Sequence, residues 1–275
     1  MTDEARREDN DGVITVTFTR DYKRNAITTA MFDVLCGAVR DLGDDDAQRA
    51  LVITGEGRYF TSGIDFRNLR PDLGLGSDGV FRGSNMRRQY RAEAYHDLFD
   101  EMEAIEKPVI LAAQSHCFGI GVEMASSCDF RFATPQTTFA LPEVSSIALI
   151  PGSGGISRLT KIVGPAWAKW MVVGCEPIGA EQAKQIGLVQ DVFPTDTFGE
   201  KVLAFARKLA GYPREALGVA KIAVDAANTL DRRTAREFDR MAQATLVTSS
   251  EHRDRVSAFL GASPARQAPP VADHD

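Results

Sequence analysis

The sequence predicts an α/β fold with largely parallel sheets, and three observations carry that reading. Short apolar strands alternate with amphipathic helices up to about residue 196. The strands at 50–55 and 108–113 are short and apolar apart from Thr54, as strands covered on both faces tend to be. Beyond residue 196 strand signals stop and only helical periodicity remains.

The elements follow in order. GVITVTF (12–18) alternates apolar and polar residues and reads as a strand. TTAMFDVLCGAVRDL (28–42) sets Met31, Leu35, Val39 and Leu42 on one helical face, with Thr28 or Thr29 as the N-cap. ALVITG (50–55) is a short strand ended by glycine. Leu98, Met102 and Ile105 mark an amphipathic helix that Pro108 stops, and PVILAA (108–113) follows as a buried strand. From Asp65 to about Arg91 the chain is rich in Gly, Arg and Asp and has no period, the mark of a long irregular segment of the kind that often carries function. Helical patterns cover 198–210, 214–228 and 231–260, and SPARQAPPVADHD has the composition of a disordered tail. The expected organisation is an α/β core over 1–196 holding the functional site, a helical region over 197–262, and a tail over 263–275.

Composition narrows the function classes. At 275 residues and 44% hydrophobic the chain can bury a sizeable core. A net charge of -6 argues against nucleic acid or an anionic membrane as the partner, and no run reaches the roughly 18 apolar residues of a membrane span. MTDEARREDNDG offers no signal-peptide pattern, so a cytoplasmic location is expected. Cys36, Cys117, Cys128 and Cys175 form no CxxC pair and read as reduced thiols in or near the core, and the histidines form no metal-binding cluster.

Three glycine-containing turns lie next to strand ends or helix starts: YFTSGID (59–65), CFGIGVE (117–123) and LIPGSGGISRL (149–159). Such turns bring backbone N–H groups to an anion or a developing oxyanion, or serve only tight packing. None matches GxGxxG or the Walker pattern. Glu123 and Glu143 sit in apolar or small-residue surroundings that raise a carboxyl pKa, which suits an acid–base pair. The residues alone leave a second reading open, in which each carboxylate is solvated at an element end or caps a helix.

Taken in order, FTRDYKRNAIT (18–28), RYFTSGIDF (58–66), KPVILAAQSHCFGIGVEMASSCDFRFA (107–133), FALPEVSSIALIPGSGGISRLTKIVG (139–164) and PIGAEQAKQIGLVQDVF (177–193) resemble the crotonase (enoyl-CoA hydratase/isomerase) superfamily, over about 12–262. The resemblance implies a crotonase-like spiral of ββα units with a C-terminal helical region that joins copies into a trimer or a dimer of trimers. It implies an acyl-CoA thioester substrate and no cofactor beyond the CoA that the substrate carries. The backbone N–H groups of Ile64 and Ile120 would form an oxyanion hole, although the family commonly has three glycines where this chain has Gly119-Ile120-Gly121. Glu123 and Glu143 fall at the two catalytic carboxylate positions of family hydratases, and Lys23, Arg24, Thr61 and Ser62 at positions near CoA. Phe259 matches a C-terminal residue that contacts CoA across subunits, but Ala262 stands where the accompanying lysine would be. The implied activity is hydration of a 2-enoyl-CoA. The alternatives are an enoyl- or dienoyl-CoA isomerase and a non-catalytic acyl-CoA-binding homologue. Pro151 in the place of a third acidic residue weakens the dienoyl version, and retention of both glutamates argues against the non-catalytic one.

Overall fold

The computed structural model describes residues 4–67 and 94–262. Of the segment read as irregular from Asp65 to about Arg91, all beyond residue 67 lies outside the described residues, as does the tail at 263–275.

The chain divides into two compact units, Met1–Arg214 and Glu215–Asp275. The first opens with β1 (Ala5–Asn10) and β2 (Val13–Phe18), paired antiparallel. Sequence periodicity misses β1, because ARREDN is an exposed edge strand whose polar side chains face solvent and leave no apolar alternation. Next come α1 (Thr29–Asp44) and β3 (Ala50–Gly55). Thr28 caps α1 by accepting from Met31 N at 3.3 Å, and the helix buries Met31, Leu35, Ala38, Val39 and Leu42, the face that the spacing predicts. After α2 (Ala94–Ala104) and β4 (Val109–Ala113), the chain forms β5 (His116–Phe118), α3 (Ile120–Ser126), β6 (Phe130–Ala133) and β7 (Thr138–Ala140). It then runs through α4 (Glu143–Ile147), α5 (Gly155–Val172), β8 (Ile178–Gly179), α6 (Ala180–Gln185), β9 (Asp191–Val192) and α7 (Phe198–Ala210).

Two sheets organise these elements. The larger has the order β1-β2-β3-β4-β6-β9, parallel from β2 onward. Its central strands are buried on both faces, with Leu51, Ile53, Val109 and Leu111 inaccessible, as their apolar runs predict. The smaller has the order β5-β7-β8, with β5 and β7 parallel in the register Phe118↔Ala140. Loops leaving β3 and β4 join beyond the C-terminal strand ends, where Thr61 bridges to Cys117, and ligand sites of open α/β sheets lie in this region.

The second unit is helical: α8 (Arg214–Ala227) leads into it, followed by α9 (Arg232–Val247) and α10 (Ser250–Ala262). The single helical pattern expected over 231–260 is thus two helices. Thr248, Ser249 and Ser250 explain the break: the Thr248 hydroxyl donates back to Thr245 O, and the Ser249 hydroxyl accepts from His252 N as an N-cap. No described helix is long and apolar enough to cross a membrane.

Candidate active site

Strand register determines which residues meet. Gly119 N donates to Ala140 O at 2.9 Å, which extends the β5–β7 pairing by one step. The next residues are therefore neighbours: Ile120 opens α3, and Glu143 opens α4 three residues beyond Ala140. Gly119 has φ 56 and ψ -123, a conformation hardly open to other residues. A Cβ at this position would stand 3.0 Å from Glu143 Oε1 and 3.8 Å from Gly63 Cα. The carboxylate and both glycine turns thus share one small space.

In the first turn, Ile27 N donates to Gly63 O at 2.9 Å and Asp65 N donates to Ile27 O at 3.0 Å. This parallel bridge points the Ile64 N–H the opposite way. Ile120 is the first residue of α3, so its N–H has no intrahelical acceptor. Neither N–H has an acceptor among the described residues.

Glu123 lies one turn into α3 and is only 4% exposed. Its Oε1 accepts from Ser153 N at 2.7 Å and Gly155 N at 3.3 Å, at the start of α5. The third glycine turn does bind an anion, and that anion is the chain's own carboxylate. Gly155 must lack a side chain, since a Cβ would lie 2.7 Å from Glu123 Oε1. Burial lifts the Glu123 carboxyl to about 7; the Ser153 and Gly155 N–H groups oppose the rise, while the Glu143 charge adds to it. Burial also raises Glu143. Its Oε2 is buried with no hydrogen-bond partner among the described residues, an arrangement that calls for a ligand group.

The remaining residues singled out in the sequence fall as follows. Lys23 and Arg24 are exposed at the end of a 3₁₀ turn, and Arg24 O accepts from Ser62 N at 3.0 Å, so the two stretches abut. Ser62 is exposed, whereas Thr61 is inaccessible: its hydroxyl donates to Asn25 O at 2.7 Å and accepts from Gly63 N at 3.1 Å. Thr61 therefore shapes the turn from inside. Phe259 is 74% exposed on α10 of the second unit. None of the four cysteines is in a disulfide; Cys117 and Cys128 are buried and Cys36 and Cys175 partly so. Two features escaped sequence reading. One is the role of Ser153 and Gly155, for which the GSGG run was the visible signal. The other is a stack of Tyr59 on His116 at 4.8 Å, with Arg24 and Arg58 over the Tyr59 ring, which has no signature of its own.

Parallel strands that feed two abutting glycine turns define an α/β protein in which two buried carboxyls share one small space with backbone donors. The chain belongs to the enoyl-CoA hydratase/isomerase family, whose model matches residues 8–266. It is 32% identical over 248 residues to the 2,3-dehydroadipyl-CoA hydratase of Escherichia coli (strain K12), covering 90% of this chain and 92% of that protein. It is 29% identical over 255 residues to a mitochondrial enoyl-CoA hydratase of Pongo abelii, covering 93% and 83%. The crystal structure of an enoyl-CoA hydratase subunit I from Geobacillus kaustophilus HTA426 matches with a TM-score of 0.82 at 26% identity, covering 96% of this chain and 98% of that one. The crotonase-like α/β fold expected from the resemblance is the fold observed.

Proposed function

We propose that this protein is an enoyl-CoA hydratase, which adds water across the 2,3 double bond of a 2-enoyl-CoA to give a 3-hydroxyacyl-CoA. The observation that carries the proposal is the Glu123–Glu143 pair, both raised by burial and set against two glycine turns with unpartnered N–H groups. The thioester oxygen accepts from Ile64 N–H and Ile120 N–H, which hold the negative charge that develops as the double bond polarises, an effect of roughly 3 kcal/mol per donor. Glu123, in its charged form, takes a proton from water as the water oxygen bonds to C3. Glu143, in its protonated form, gives a proton to C2, and exchange with solvent restores both carboxyls. Exposed Phe66, Val144, Ile147, Leu149 and Ile150 follow the two turns in the chain and supply apolar surface for an acyl group.

Lys23, Arg24 and Ser62 are the proposed contacts for the phosphates and adenosine of CoA. The guanidinium groups of Arg24 and Arg58 over Tyr59 add positive charge there. No further cofactor enters the scheme. The helical region assembles copies into a trimer or dimer of trimers, a reading supported by Leu230, Met241, Val247, Phe259 and Leu260, all apolar and exposed. Phe259 is the proposed cross-subunit CoA contact. Four cysteines outside any disulfide suit a reducing cytoplasm.

A second reading, an enoyl-CoA isomerase, is favoured by one observation: the unpartnered Glu143 Oε2 could alone carry a proton between C2 and C4. Assays with crotonyl-CoA, longer 2-enoyl-CoAs and a 3-enoyl-CoA separate the two. Hydration lost in Glu123→Gln while double-bond migration persists identifies the isomerase. Full activity in both glutamate variants overturns both readings.

A further inference from the structure

Arg158 lies outside the carboxylate pair, yet its bonds lead to it. Its side chain is 11% exposed and sits in the first turn of α5. Nε bonds Glu103 Oε2 at 2.8 Å and Nη2 bonds Asp100 Oδ1, both on α2. Nη1 donates to Ser153 O at 3.3 Å. The same Ser153 donates its N–H to Glu123. Gly154, between the two donors, is left-handed at φ 88, and a Cβ there would fall on the Arg158 guanidinium. The missing side chain lets the guanidinium lie directly against the turn.

We propose that Arg158 is a positioning residue for Glu123: anchored by Asp100 and Glu103, it holds the Ser153–Gly155 turn so that both N–H groups stay aimed at the carboxylate. The inference rests on the reading of Glu123 as the base that activates water. Glu123 is faced by the Glu143 charge from α4 and by the Ser153 and Gly155 donors. Arg158 is faced by Asp100, Glu103 and His96 from α2. The N–H groups favour the charged form of Glu123, so a turn that slackens removes that help and the carboxyl titrates higher. A strut that merely tied α2 to α5 would lower thermal stability and leave this titration in place.

The test compares Arg158→Met and the double variant Asp100→Asn/Glu103→Gln with wild type. Two readouts apply: kcat/KM for crotonyl-CoA against pH, and infrared titration of the Glu123 carboxyl, assigned by difference from Glu123→Gln. In both variants the acidic limb and the infrared titration should move up by about one unit, with kcat/KM about tenfold lower below the limb and converging on wild type above it. The double variant separates positioning from bare charge. Removal of two anions would lower a neighbouring carboxyl through space, whereas loss of the anchors raises it. Asp100 and Glu103 side chains are 57% and 47% exposed, so the double variant keeps the fold if Arg158→Met does not. A limb and infrared titration that stay in place, or move down, in the double variant overturn the proposal. If Glu123→Gln retains hydration, the base assignment fails by itself, and the infrared titration still decides whether Arg158 sets the state of Glu123.

Discussion

Replacing Glu123 with glutamine should abolish hydration and at the same time stabilise the protein at alkaline pH. The carboxyl titrates near 4.5 in an unfolded chain and at about 7 in the fold. The gap of about 2.5 units, at 1.36 kcal/mol per unit, is roughly 3 kcal/mol. The folded form holds the proton more tightly, so the carboxyl favours folding fully below about 4.5, and this contribution is lost as pH rises through about 7. At pH 8 the buried carboxylate is charged and destabilising. Glutamine keeps an oxygen for Ser153 N and Gly155 N and carries no charge. Part of the gain belongs to the pair, because Glu143 loses a repulsive neighbour. The check is urea unfolding at fixed protein concentration at pH 5, 6, 7 and 8. The variant should exceed wild type by up to roughly 3 kcal/mol at pH 8 and by little at pH 5. Parallel curves for the two proteins across this range would refute the argument, since they would mean that Glu123 is not held against its solvation.

The hydratase kcat/KM should follow a bell in pH, because one carboxyl of the pair must be charged and the other protonated; a flat profile contradicts the pair. Glu143→Gln should reduce hydration by ~10²–10⁴-fold, and adding Glu123→Gln should reduce it little more, because both act on one water and one substrate. Ile120→Pro removes one oxyanion donor at the first helical position, where proline is tolerated, so kcat should fall ~10²–10³-fold with the helical circular dichroism retained; unchanged kcat assigns the oxyanion elsewhere. Light scattering at micromolar concentration should give the mass of a trimer or dimer of trimers, and a monomer refutes the assembly reading.

Much of this was legible in the sequence because the signals are local. Burial on both faces writes continuous apolar runs, so β3 and β4 could be read directly, and Thr28 with the Met31, Leu35, Val39 and Leu42 spacing located α1. Glu123 and Glu143 stood out because a carboxylate among small apolar residues needs a reason. Long-range pairing was not legible. Nothing local couples Phe118 to Ala140, yet that register brings Gly119 against Glu143. Nor could spacing tell that LIPGSGGISRL faces inward to Glu123, since a glycine turn looks the same whether its anion is a ligand or a side chain. β1 and the two-residue strands β8 and β9 were invisible because their pairing, rather than their side chains, makes them strands.

The different partners of the two carboxylates also assign their roles within the proposed chemistry. Glu123 Oε1 is held by two backbone donors, which fix it in place and favour its charged form against the pull of burial. A group that must be charged and stationary when water arrives is a base. Glu143 has burial opposed only by its own N–H, and its Oε2 has no donor among the described residues. That oxygen is left open to take and give the proton exchanged at C2. Both environments trace to where each glutamate falls in the chain: Glu143 three residues past a strand that ends beside the Gly119 turn, and Glu123 one helical turn past that glycine, where the start of α5 meets it. A single carboxylate would suffice for double-bond migration. The provision of two carboxyls, one fixed by backbone donors and one left open, is the stronger physical argument for addition of water.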